Sequence, residues 1–310
     1  MIHWKKQGLI FTPNQSLWWS KSHAQLPIAD VMLNHVWRIY YASRDAQGRS
    51  RIGYIETEKG NPQNILYVHP EPILDVGTAG TFDDNGMMPV ALVNSGDVKL
   101  LYYAGWNERT SIPYHNAIGV AISKDQGKTF TRYGTGPIID RILHEPFATG
   151  TLHIIIEQNI WKGWYQSVIK WELSEGKYEP FYHLKYAESH NGIDWKRDGQ
   201  VAIELLEDEA GICSATVLVA NDEYHMWFAC RKKGNYRFDP QLSYKIGFAT
   251  SKDGIKWIRN DAQSGIQPSE SGWDSEMIAY PNVITCEDKQ YMFYNGNGFG
   301  KTGFGYATDQ

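Results

Sequence analysis

Carboxylates and aromatic residues gather just ahead of a set of prolines. Phe82-Asp83-Asp84-Asn85 precedes Met88-Pro89, His144-Glu145 precedes Pro146, and Gly272-Trp273-Asp274-Ser275-Glu276 precedes Tyr280-Pro281. His23 and Gln25 stand beside Leu26-Pro27, and Asp208-Glu209 and Cys213 precede Ser214, where the proline is missing. Acids of this kind, if brought together, suit glycosidic cleavage: one protonates the leaving oxygen while another activates water or attacks the anomeric carbon. Mutual repulsion and partial burial then keep one of the pair protonated. Asp84 is the expected base or nucleophile, with Glu276 or Glu145 as the acid. Asp83, Glu209, Asp274, Gln25, His23 and His144 are expected to hold substrate, and Trp106, Trp273 and Tyr280 to offer flat apolar faces. Arg44 and Arg231 carry planar forks suited to a carboxylate or phosphate. Each group also has an ordinary structural use. Asp83-Asp84 suits an Asx-turn, Glu145, Arg44 and Arg231 suit salt bridges between repeats, and the histidines could hold a structural divalent cation or water.

The elements that position these residues repeat. Trp37–Tyr41, Lys99–Tyr103, Lys162–Tyr165, His225–Phe228 and Tyr291–Tyr294 are apolar, aromatic strands, and their last aromatics are 62, 62, 63 and 66 residues apart. A second strand follows each of them at 52–56, 118–123, 184–189, 246–251 and 304–308, with the alternation of a half-buried strand. Asp125-Gln-Gly, Asn191-Gly and Asp253-Gly then supply hairpin turns before an outer strand. The last copy lacks that outer strand. Trp4-Lys-Lys-Gln-Gly8 resembles Trp195-Lys-Arg-Asp-Gly199, so the N-terminal segment is expected to complete the last copy and remove an open edge.

The predicted fold class is therefore all-β: residues 1–310 as a single five-bladed β-propeller domain, its last blade closed by the N-terminal strand. In that architecture the first strand of each blade lines the central channel, which is where the residues ahead of the prolines converge. The five glycines between 296 and 305 do not form a nucleotide loop, because no helix follows them.

Composition narrows the partners. The net charge is −5, with no basic block, which argues against nucleic acid. No apolar run approaches a membrane span and no signal-type N-terminus is present, so a soluble, cytoplasmic protein is expected. Three cysteines without metal-ligand spacing suit a reducing compartment. With 12 Trp, 19 Tyr and 11 Phe, the chain carries ample stacking surface for sugars, although sheets use aromatics too.

Taken together, Gly48–Gly53, Gly80–Gly86, Tyr103-Ala-Gly-Trp-Asn107, Gly272–Met277 and Tyr291–Asn297 resemble the five-bladed propellers of the arabinanase, invertase and mannoside phosphorylase type. The resemblance is nearest to an uncharacterised glycosidase-like bacterial branch and spans essentially the whole chain. It implies a glycan-directed site with acids on several first strands, Glu145 taking the acidic position of an Arg-Asp-Pro segment. The larger group carries an aspartate at the start of the first blade, where this chain has His23 and Gln25. The expected activity is glycoside hydrolysis by a carboxylate pair in the funnel. Alternatives are noncatalytic carbohydrate binding, or phosphorolysis or transfer from an activated sugar, for which Arg44 and Arg231 must meet. The expected partner is a carbohydrate or sugar-containing small molecule. No cofactor is required, and a structural divalent cation in the channel is the one addition considered.

Overall fold

The computed structural model describes residues 2–32 and 35–309. Within them the chain opens on β1 (Trp4–Phe11), followed by five runs of antiparallel strands, called arrays below, that fall into three hydrogen-bonded sheets: the first and second runs are joined by a parallel pair at Ser50 and Gly86, and the third and fourth by one at Tyr182 and Gly211. The first is β2 (Ser22–Val31), β3 (Val36–Arg44), β4 (Ser50–Glu58) and β5 (Asn61–Val68). The second is β6 (Gly86–Ser95), β7 (Val98–Glu108), β8 (Tyr114–Ser123) and β9 (Thr131–Arg132). In the third, β10 (Thr149–Glu157), β11 (Ile160–Ser174) and β12 (Lys177–Ser189) end on two short edges, β13 (Trp195–Lys196) and β14 (Val201–Ile203). The fourth is β15 (Glu209–Ala220), β16 (Glu223–Lys232), β17 (Lys245–Ser251) and β18 (Ile258–Arg259). The last is β19 (Ala279–Cys286), β20 (Lys289–Asn295) and β21 (Phe304–Asp309), with β1 pairing antiparallel to β21 as its outer strand. No helix among the described residues is long and apolar enough to cross a membrane.

The aromatic strands are the middle strands, buried on both faces. Trp37, Ile39, Tyr40 and Tyr41 of β3 are fully enclosed, as are Trp227 and Phe228 of β16. Successive arrays are also tied by a repeated polar contact. The turns after β8, β12 and β17 place Gly127, Gly192 and Gly254 at φ of 81°, 73° and 75°, where glycine carries no Cβ penalty. Their carbonyls accept hydrogen bonds from Tyr40, Tyr102 and Trp164 of the preceding array. A side chain at Gly192 would collide with the Tyr102 hydroxyl.

The first strands β2, β6, β10, β15 and β19 each touch the next, and β19 touches β2, so their contacts run in a closed cycle. Each contains a register break at its start: Gln25/Ile28, Pro89/Ala91, Thr149/Leu152, Cys213/Thr216 and Ala279/Asn282. Such bulges bend the strand and re-aim its side chains. Leu26, Ser214 and Tyr280 adopt left-handed φ of 50°, 51° and 56° there. Pro27, Pro89 and Pro281 sit within these breaks, where an absent N–H costs no regular ladder bond. The expectation for the third array needs correction: Pro146 lies ahead of β10, and the break falls at Gly150-Thr151.

Candidate functional site

The register breaks surround a cavity of about 370 Å³. Leu26, Met88, Gly150, Cys213 and Tyr280 enter it from the five first strands, while Arg44, Trp106 and Gln166 reach it from the middle strands. Five tyrosines (114, 182, 236, 244 and 280), Asn116, Thr151 and Phe299 complete much of the wall. The sequence-predicted residues brought together here are His23, Gln25, Arg44, Trp106 and Tyr280. Among the described residues, no aspartate or glutamate lines the cavity.

The wall is basic and hydrogen-bonding. The Arg44 guanidinium has no ion pair or hydrogen bond among the described residues. Burial lowers its pKa, Tyr280 opposes that shift and nearby Arg237 adds to it. Arg237 was not foreseen. It comes from the segment between β16 and β17, is held by Glu179 at 3.1 and 3.2 Å, and stacks on Tyr236 at 4.8 Å. His23 hydrogen-bonds Ser22 Oγ through Nδ1 at 2.9 Å. Burial, then Arg44 and Lys301, lower it to about 4, so its imidazole is neutral at pH 7. Gln25 donates to the Phe299 carbonyl at 2.6 Å, and Trp106 donates to Ser50 Oγ at 2.9 Å. Burial raises the Cys213 thiol to about 11 and lifts Tyr244 and Tyr280 well above their ordinary value; these groups line the cavity as neutral species.

Most of the predicted acids are buried in ion pairs within the fold. Asp83, Glu145, Glu209 and Asp274 are nearly inaccessible, and each meets a cation two residues beyond an outer-strand aromatic. Arg132 reaches Asp83 at 2.8 Å, Arg197 reaches Glu145 at 3.2 Å, Arg259 reaches Glu209 at 2.6 Å and Lys6 reaches Asp274 at 2.6 Å. Tyr165 and Tyr294, the marker aromatics of their arrays, donate to Glu145 and Asp274 at 2.8 and 2.9 Å. This recurring staple engages Glu145, expected as the acid, and Asp83, Glu209 and Asp274, expected to hold substrate, in intramolecular pairs with the outer-strand side of the fold. The signal was in the sequence: Asp83, Glu145 and Asp274 each lie 20 residues before the marker, and Glu209 lies 19 before it.

Other candidates also fall outside the cavity wall. Arg231 is spent beneath it, donating to the Tyr182 hydroxyl at 3.0 Å and the Pro180 carbonyl at 2.6 Å. Arg44 therefore meets Arg237 and not Arg231. Trp273 stacks on Tyr294 with centroids 5.2 Å apart, and its carbonyl accepts from Asn297 and Thr302. His144 is exposed. Asp84 accepts the Gly80 N–H at 2.7 Å, and its other oxygen is buried without a partner among the described residues. Glu276 is exposed; its backbone N–H is fixed by Asn297 at 2.8 Å. Glu209, Cys230 and Asp261 form the one cluster of metal-ligand type among the described residues. The Arg259 guanidinium already bonds both of its carboxylates, and burial holds the Cys230 thiol at about 12, so the donor set does not suit a cation.

Two partly buried histidines make stability pH-dependent. Burial lowers His153, on β10, to about 4, as it does His23. Below the ordinary value of 6.5 the unfolded chain binds protons that the folded one refuses, so stability falls as pH drops from about 6.5 towards 4. His153→Gln is expected to flatten the melting temperature through this window relative to the parent; superimposable profiles would contradict the assignment.

No protein-family model matches the chain. An uncharacterised protein of Mycobacterium tuberculosis, found in two strains, is 37% identical over 306 residues, covering 98% of both chains. Among solved structures, a glycosyl hydrolase from Bacteroides ovatus superposes with a TM-score of 0.74 at 14% identity, over 99% of this chain and 93% of that one. A structure from the family 130 mannoside phosphorylases, a family that contains hydrolases targeting β-1,2 mannosidic linkages in Candida mannan, superposes with a TM-score of 0.68 at 14% identity, over 99% and 93%. The chain belongs to the family of the mycobacterial protein, and it has the fold of the propeller-type glycoside hydrolases.

Proposed function

We propose that residues 1–310 form a single five-bladed propeller domain, one blade per array, and that its central cavity is a sugar site at which a glycosyl bond is made or broken. The closed cycle of five first strands supports the blade count. The observation that carries the function is the cavity wall: a wide aromatic surface interleaved with amide, hydroxyl and guanidinium donors. That composition recognises a polyhydroxylated ring through stacking and directed hydrogen bonds. The test is binding and product analysis against a panel of glycosides and glycosyl phosphates. Trp106→Ala is expected to weaken sugar binding about 10-fold, with the fold retained; an unchanged affinity would count against the site.

For the acid–base pair, Asp84 and Glu276 are the candidates that no basic side chain holds among the described residues. They stand on the loops leading into β6 and β19, four residues ahead of Met88 and Tyr280 in the cavity wall. If they act, Asp84→Asn and Glu276→Gln each lower kcat by about 10²-fold or more, and full turnover in both would exclude the pair. The carboxylate-free wall favours a second reading, sugar binding without turnover, in which both variants bind normally and no product forms.

A further inference from the structure

We infer that the cavity carries a phosphoryl-binding subsite centred on Arg44, so that the sugar it takes is a phosphorylated or nucleotide-activated one; this rests on the sugar-directed reading above. Arg44 is a cavity-lining cation with no counter-ion among the described residues. Keeping a partly desolvated charge without a partner is unfavourable to folding. A ligand anion is the natural partner, and the planar fork of arginine suits two phosphoryl oxygens at once.

The neighbours fix the sign and size of the charge. Lys301 adds a second cation near His23 with no ion pair among the described residues. Arg237 adds a third, partly neutralised by Glu179. Among the described residues, no acid on the wall repels an anion. Such a surplus of positive charge suits a group bearing close to two negative charges near neutral pH, as a phosphate monoester does, better than a carboxylate. His23 adds a hydrogen-bonding nitrogen: with Nδ1 engaged by Ser22, Nε2 has no partner among the described residues. Because the imidazole is neutral, it can serve a phosphoryl oxygen or an adjacent hydroxyl without adding charge. Trp106 and the tyrosines then flank the anion with surface for the sugar.

The test is calorimetric titration of the full chain at constant ionic strength with inorganic phosphate, a hexose 1-phosphate and a nucleoside diphosphate, using acetate as the monoanion control. The phosphoryl ligands are expected to bind and acetate not to compete; Arg44→Met should weaken binding at least about 10-fold. The tighter of the two organic ligands identifies the source of the phosphoryl group. Arg44→Met should melt at or above the parent temperature, because it removes an unpaired charge, and Arg44→Lys should recover part of the affinity. Equal affinity in parent and Arg44→Met, or equal binding of acetate, overturns the subsite. If Trp106→Ala still weakens a neutral glycoside in that case, the sugar reading stands alone. If phosphate binds through Arg44 and the hexose 1-phosphate gains nothing over it, the sugar reading falls and the anion subsite stands.

Discussion

Glu145→Gln is expected to lower stability by about 3–5 kcal/mol while leaving turnover per folded molecule unchanged. The carboxylate is 2% exposed and sits between Arg197 and Lys185, with Tyr165 donating to it. Burying those cations is tolerable because Glu145 offsets them. Removing its charge leaves two largely enclosed cations uncompensated, and that desolvation cost exceeds the worth of the pair itself. At roughly 2–4 °C per kcal/mol for a chain of this class, the melting temperature should fall by about 10 °C. Replacing Glu145, Lys185 and Arg197 together with Met should recover much of the loss, since an apolar cluster of similar volume needs no counter-charge. Melting curves and specific activity of the soluble fraction decide the matter. A stable Glu145→Gln variant with abolished turnover would return Glu145 to the reaction.

Deleting residues 1–11 is expected to abolish cooperative folding. β1 buries Trp4, Ile10 and Phe11, each worth about 1.5–3 kcal/mol. It also packs Trp4 edge-on against Trp227 with centroids 5.6 Å apart and sets Lys6 on Asp274. Its loss exposes the whole edge of β21 and leaves Asp274 as a buried acid without its cation. Those deficits together approach the total stability of an ordinary domain. The truncated chain should show no sharp thermal transition, and adding a peptide of residues 1–11 should restore one. A truncated chain that melts sharply near the parent temperature would show that closure contributes little.

The sequence was legible wherever the repeat spoke. Its 62-residue step located all five middle strands, and the match between Trp4 and Trp195 located the outer strand of the last array. It misled where one residue type served two purposes. An acid ahead of a first strand looks the same whether it points to an axis or inward to an arginine. The constant spacing from Asp83 to Tyr103 and from Glu145 to Tyr165 marks an intramolecular contact, because each copy must solve the same packing problem while only one ligand occupies the axis. Pro146 misled for a related reason: proline punctuates both loops and bulges, and its distance of 19 residues from Tyr165, against 14 for Pro27 and Pro89 from their markers, was the sign. Arg237 and Glu179 were invisible to the repeat. They lie on departures from it, the segment between β16 and β17 and the long β11–β12 hairpin, where no other copy supplies an alignment. Arg44 and Trp106 were accessible because both sit three residues past the marker, where middle strands end beside the cavity.

The pairing of β1 with β21 also has a consequence in time. Gln7 donates to Thr308, 301 residues away, so β1 leaves the ribosome about 300 residues before the strand that covers its edge. Synthesis at about 5–20 residues per second leaves β1 unpaired for some tens of seconds, long enough for β-pairing between neighbouring nascent chains. Production at low temperature with slowed initiation should therefore raise soluble yield more for this protein than for one whose strands all pair locally.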